Sequence, residues 1–160
     1  FPYTTLFRSA QPLKSSSTKT VIKMISEQKR NILVVEDETL IAWNIKSVLE
    51  QLDYEVAAIA KSGEEAIREA EKIKPDLVLM DINLNGEMDG VETASEIKKL
   101  LDIPVIFITA YSDEEIIGRA KLIEPYGYIF KPFDERELLT NIEIALYNKK
   151  MEGKIKQSEK

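Results

Sequence analysis

Two kinds of stretch alternate along this chain. Short apolar runs, Ile32-Leu33-Val34-Val35, Leu77-Val78-Leu79-Met80, Val105-Ile106-Phe107-Ile108 and Tyr128-Ile129-Phe130, each stop at polar residues: Glu36-Asp37, Asp81, Thr109 and Lys131-Pro132. Runs of that length read as parallel strands buried on both faces. A further strand is expected near Glu55–Ala60. Between them, apolar residues recur at helical spacing. Ile41, Ile45, Val48, Leu49 and Leu52 make one stripe of a first helix, about Thr39 to Leu52, in which Trp43 is expected to be partly buried. Ser62-Gly63-Glu64-Glu65 reads as a capping box opening a second helix, which Lys74-Pro75 stops near Ile73. A Gly- and Asn-rich loop, Asn83 to Gly90, leads to a third helix near Val91–Leu101. Ser112 or Asp113 caps a fourth, near Asp113–Ile123, and Asp134 caps a fifth that reaches Lys150 or beyond.

Five strand–helix units in strict alternation predict an α/β protein. The fold is a flavodoxin-like (βα)5 doubly wound parallel sheet with strand order 2-1-3-4-5. An eight-unit barrel needs about 200 residues or more, and this chain has 160. In open α/β sheets, ligands bind beyond the carboxyl ends of the strands. Three acids, a hydroxyl and an amine are therefore expected to converge on one patch. Three crowded carboxylates repel and call for a cation, and an all-oxygen, partly hydrated site suits Mg²⁺.

Composition narrows the chemistry. With no Cys and no His, the chain offers no disulfide, no thiolate or imidazole metal site, no His-based triad and no phosphohistidine of its own. A net charge of −6 argues against direct nucleic-acid binding. No apolar stretch nears the roughly 20 residues that span a bilayer, so no membrane association and a cytoplasmic location are expected. Residues 1–23 stand apart. They hold Arg8, Lys14, Lys19 and Lys23, no acid and no periodicity, and the opening FPYTTLFRS resembles translated sequencing adapter. We read 1–23 as a non-native or disordered leader, 24–150 as the domain, and 151–160 as a charged tail or the start of a linker.

Four pieces in order, VVEDE, LMDINLNGEMDG, FITAY and YIFKPF, make the stretch from Asn31 to Lys150 resemble a response-regulator receiver domain of two-component signalling. The resemblance implies a phosphorelay protein. A partner sensor histidine kinase, or a phosphotransfer protein, would pass a phosphoryl group to Asp81, forming an aspartyl phosphate. Asp37 and Asp81 would bind Mg²⁺, with the backbone carbonyl of Asn83 as a third ligand. Glu36 stands where the family usually has Asp, and would bind directly or through a water. Thr109 and Lys131 would stabilise the phosphoryl oxygens. Thr109 and Tyr128 would act as the switch that alters the face built from the fourth helix, fifth strand and fifth helix. Pro132 would follow a cis peptide bond. Asn83 and Tyr111 would modulate hydrolysis, Tyr111 by shielding the acyl phosphate from water. The loop after Asp81 is longer than in the best-known receivers.

Taken singly, each residue has an ordinary reading. The acids could answer a helix dipole, Asp81 end a strand, Thr109 fill one, Lys131 be solvated and Tyr128 be core. Five such coincidences at one sheet edge are a poorer account than one site. Among rival functions, a haloacid-dehalogenase-like Mg²⁺-dependent phosphatase also uses an Asp nucleophile, but it needs a second Asp two residues on, where Asn83 stands. A flavodoxin-like cofactor binder lacks its phosphate loop here. A pseudo-receiver acting only in protein interaction would not need Asp81, Thr109 and Lys131 together. The expectation is a signalling switch and not an enzyme, beyond its own phosphorylation and dephosphorylation. Ile144, Met151 and Ile155 lie at heptad-like spacing, too briefly to establish a coiled coil.

Overall fold

The computed structural model describes residues 29–110 and 114–158. The leader 1–23, Tyr111, and the expected cap at Ser112 or Asp113 lie outside the described residues. In chain order the elements are β1 (Asn31–Val35), α1 (Thr39–Gln51), β2 (Glu55–Ala60), α2 (Gly63–Ile73), β3 (Leu77–Asp81), α3 (Gly90–Leu100), β4 (Val105–Ala110), α4 (Glu114–Leu122), β5 (Gly127–Lys131) and α5 (Glu135–Ser158). The five strands form one parallel sheet in the order β2-β1-β3-β4-β5. This is the flavodoxin-like arrangement that the alternation predicts.

The period-2 alternation of each strand divides the core into two layers. Leu33, Val35, Val78, Met80, Val105 and Phe107 pack against Ala66 and Ala70 of α2, Val91, Ala94 and Ile97 of α3, and Ala120 of α4. Ile32, Val34, Leu77, Leu79, Ile106, Ile108 and Ile129 pack against Ile45 and Leu49 of α1 and Leu138, Ile142 and Ala145 of α5. Both faces are covered, so the strands read as unbroken apolar runs.

Helix ends follow local chemistry. Asp89 caps α3 through a complete capping box with Glu92, and Asp134 Oδ1 accepts from Glu137 N at 2.7 Å at the start of α5. The box expected at α2 is half formed. Ser62 accepts from Glu65 N, but the Glu65 carboxylate accepts from Lys61 N instead of returning to Ser62. Lys74 ends α2 in the left-handed region at φ 52°, ahead of Pro75. Trp43 corrects its expectation, being 68% exposed. Ala42, Ile45 and Leu49 define the buried stripe of α1, and two residues back from Ile45 is about 160° around the helix, on the solvent side.

Candidate functional site

The site forms at the carboxyl edge of the sheet, where β1, β3 and β5 deliver their last side chains to one face. Glu36 follows β1 in phase with Ile32 and Val34, Asp81 ends β3 in phase with Leu77 and Leu79, and Lys131 ends β5 in phase with Ile129. Lys131 Nζ lies 3.1 Å from Glu36 Oε2 and 3.7 Å from Asp81 Oδ2. Carboxylate oxygens of Glu36, Asp37 and Asp81 all lie within 4.8 Å of one another. Glu36 and Asp81 are buried, at 1% and 4% exposure, while Asp37 is half-buried.

Such crowding has an electrostatic consequence. Burial first, and then the Asp81 charge, push the Glu36 carboxyl from an ordinary 4.5 up to about 7. The Glu38 N–H and Lys131 pull the other way without overcoming this. One lysine therefore does not compensate the cluster. The donor set is all oxygen and contains no sulfur or imidazole, which fits a hard divalent cation such as Mg²⁺. Glu36, Asp37 and Asp81 are the residues that could hold it.

The other residues singled out in the sequence are distributed around this cluster. Thr109 is buried at 3% exposure in β4, one position past Ile108, which pairs with Asp81. Its hydroxyl donates to Ala110 O at 3.1 Å. Strand alternation sets Thr109 on the face of Phe107 and Tyr128, opposite to Lys131. Tyr128 is half-buried with its ring 6.0 Å from that of Phe107. Its hydroxyl oxygen is buried and has no hydrogen-bond partner among the described residues. The Lys131–Pro132 peptide is cis. Asn83 is exposed, and its N–H donates to Asp81 Oδ1 at 3.1 Å.

Three contacts at the site were not anticipated. Gly90 packs so tightly that a Cβ would sit 2.1 Å from Asp81 O and 2.6 Å from Ile82 Cα. Asn85 N donates to Asp37 Oδ2 at 3.1 Å across 48 positions. Arg119 of α4 pairs with Asp89 at 2.9 Å, tying the cap of α3 to α4. The dipeptides Asn85-Gly86 and Asp89-Gly90 were the available signals, since both mark turns. Neither says which distant group the turn will touch.

Comparison with known proteins gives a consistent picture. The family described as the response regulator receiver domain matches residues 32–143. Transcriptional regulatory protein PdtaR of Mycobacterium tuberculosis is 37% identical over 117 residues, covering 73% of this chain and 57% of that protein. Phyllosphere-induced regulator PhyR of Methylorubrum extorquens is 33% identical, covering 78% of this chain and 46% of that protein. The chain thus spans about half the length of these curated relatives. Among solved structures, the signal receiver domain of a modulated diguanylate cyclase from Desulfovibrio desulfuricans G20 superposes with a TM-score of 0.75 at 42% identity, over 78% of this chain and 99% of that one. A CheY-like receiver domain protein from Methanospirillum hungatei JF-1 gives 0.72 at 31% identity, over the same shares. No described helix is long and apolar enough to cross a membrane.

Proposed function

This chain belongs to the response-regulator receiver family of two-component signalling, and from that premise we propose that it accepts a phosphoryl group on Asp81 from a partner's phosphohistidine. The donor is a sensor histidine kinase or a phosphotransfer protein. An Asp81 carboxylate oxygen attacks phosphorus, a P–O bond forms, the P–N bond breaks, and the imidazole leaves and takes up a proton. The product is an acyl phosphate on the chain itself.

Each neighbour has a role that its chemistry suits. Asn83 N–H holds one Asp81 oxygen, which leaves the other for attack. Of the two Asp81 oxygens, Lys131 lies nearer that other one, Oδ2, and can follow charge onto the phosphoryl oxygens. Thr109 gives up its bond to Ala110 O to donate to the phosphoryl group, and Tyr128 responds from the same face. Glu36, Asp37 and Asp81 would hold Mg²⁺, joined by the Asn83 carbonyl. When bound, the ion supplies positive charge against that on the transferring group. The added phosphate charge then biases the surface of α4, β5 and α5 between two states.

The observation that carries this reading is a lysine ammonium within 4 Å of a buried strand-end Asp that shares a cluster with two further carboxylates. The test is intact-mass measurement with Mg²⁺ and a small acyl-phosphate donor. A gain of about 80 Da, one phosphoryl group, is expected for the native chain and not for Asp81→Asn. No gain in the native chain, or the same gain in Asp81→Asn, overturns it.

A further inference from the structure

Every carboxylate in the cluster has one oxygen tied to a backbone N–H. Glu36 Oε1 accepts from Glu38 N at 3.2 Å, and Asp81 Oδ1 accepts from Asn83 N at 3.1 Å. Both donors come two residues along the same segment, so those ties are local. Asp37 differs, because its Oδ2 accepts from Asn85 N, 48 positions away in the β3–α3 connection. The direction of the Asp37 carboxylate therefore depends on the path of another loop.

That path is fixed at both ends. Leu84 N donates to Ile82 O at 3.1 Å and Leu84 is buried. Gly90 N donates to the same carbonyl at 2.9 Å, and Asp89 is committed to capping α3. Between them the chain bends at Gly86, with φ at +120°. A Cβ there meets nothing within 4 Å, so the need for glycine is one of backbone conformation alone.

The geometry points to the Asn85–Gly86 turn as a positioning element for Asp37 that sets which divalent cation the cluster prefers. This rests on the cation reading given above. Mg²⁺ demands near-octahedral oxygen geometry at short distance, whereas Ca²⁺ accepts irregular and bidentate carboxylates. A carboxylate with one oxygen pinned presents the other in a fixed direction. Released, it swings and can offer both. Holding Asp37 therefore favours the smaller, stricter ion, and loosening the turn costs Mg²⁺ binding more than Ca²⁺ binding.

Calorimetric titration of Mg²⁺ and of Ca²⁺ into the metal-free chain tests this. Gly86→Ala is expected to weaken Mg²⁺ binding by about threefold or more and Ca²⁺ binding by clearly less, so the preference narrows. Gly86→Asn should behave as Gly86→Ala does, because φ +120° lies outside the left-handed region that Asn tolerates. Gly118→Ala, in open space on α4, should leave both affinities unchanged. Thermal unfolding of metal-free Gly86→Ala should stay a single cooperative transition, lowered only by the strain at that one position, which separates positioning from a general loss of structure. An unchanged Mg²⁺ to Ca²⁺ ratio in Gly86→Ala overturns the inference, and if that variant does not fold, the ratio in Gly86→Asn decides. Absence of Mg²⁺ binding by the native chain overturns the cation reading instead.

Discussion

Lys131 Nζ sits 3.1 Å from Glu36 Oε2, across 95 positions of sequence, and is nearer to that oxygen than to Asp81. The cation is thus shared between two buried acids and leans to the one that is not the proposed nucleophile. Lys131→Ala removes charge from both. Phosphorylation of Asp81 by a small acyl-phosphate donor should slow by about a hundredfold, the order of one lost charge contact to a transferring group. The adduct should still form, since Asp81 remains. Rates from time-resolved intact mass check this, and a rate equal to native removes the lysine from the reaction.

Glu36 makes stability depend on pH. Its carboxyl lies at about 7 in the folded chain against an ordinary 4.5. The native state therefore holds that proton more tightly than the unfolded state does. The resulting stabilisation is fully present below about pH 4.5 and is lost as pH rises through 7, a difference of about 3 kcal/mol. Urea unfolding in chelator at pH 4.5 and pH 8, for native and Glu36→Gln chains, isolates the contribution. Native stability should fall relative to the variant over that window. A constant difference between the two chains contradicts the shift.

Gly90→Ala should be costly out of proportion to one methyl group. The added Cβ would meet backbone atoms of Asp81 and Ile82, which cannot rotate away as a side chain can. A loss of about 2 kcal/mol is expected, together with slower phosphorylation because the end of β3 has to shift. Urea midpoints and adduct formation measure the two effects. A variant as stable as native contradicts the close packing.

Tyr128→Phe should behave in the opposite way. The Tyr128 hydroxyl oxygen is buried without a partner among the described residues, and burial raises the pKa of the phenol. Deleting an unsatisfied buried hydroxyl should leave stability equal or raise it by up to about 1 kcal/mol. Urea unfolding of the unphosphorylated chain decides, and a loss of more than 1 kcal/mol means the hydroxyl has a partner.

The strands were legible because burial on both faces leaves a signal that few alternatives mimic, unbroken runs such as Leu77 to Met80 bounded by turns, while their order comes from the flavodoxin-like pattern that five such units fit and not from the runs themselves. Polar residues closing those runs marked the cluster for the same reason. Trp43 is exposed because its angular position on α1 sets it away from the stripe of Ala42, Ile45 and Leu49. The half-formed box at Ser62 shows a limit of another kind, since the Glu65 side chain had two N–H groups within reach and local sequence does not rank them. Contacts that depend on loop paths, Asn85 to Asp37 and Arg119 to Asp89, have no periodicity to announce them.

Strand order gives the two halves of the proposed chemistry unequal freedom to move. Asp81 ends β3, which is laced to β1 on one side and β4 on the other. Lys131 and Tyr128 ride on β5, which among the described strands lies at the margin of the sheet and pairs with β4. A small slide of the outer strand breaks one ladder, while the same slide of β3 breaks two. The proposed acceptor is thus clamped in the middle of the sheet, whereas the lysine and tyrosine proposed to answer its modification lie where displacement meets less resistance.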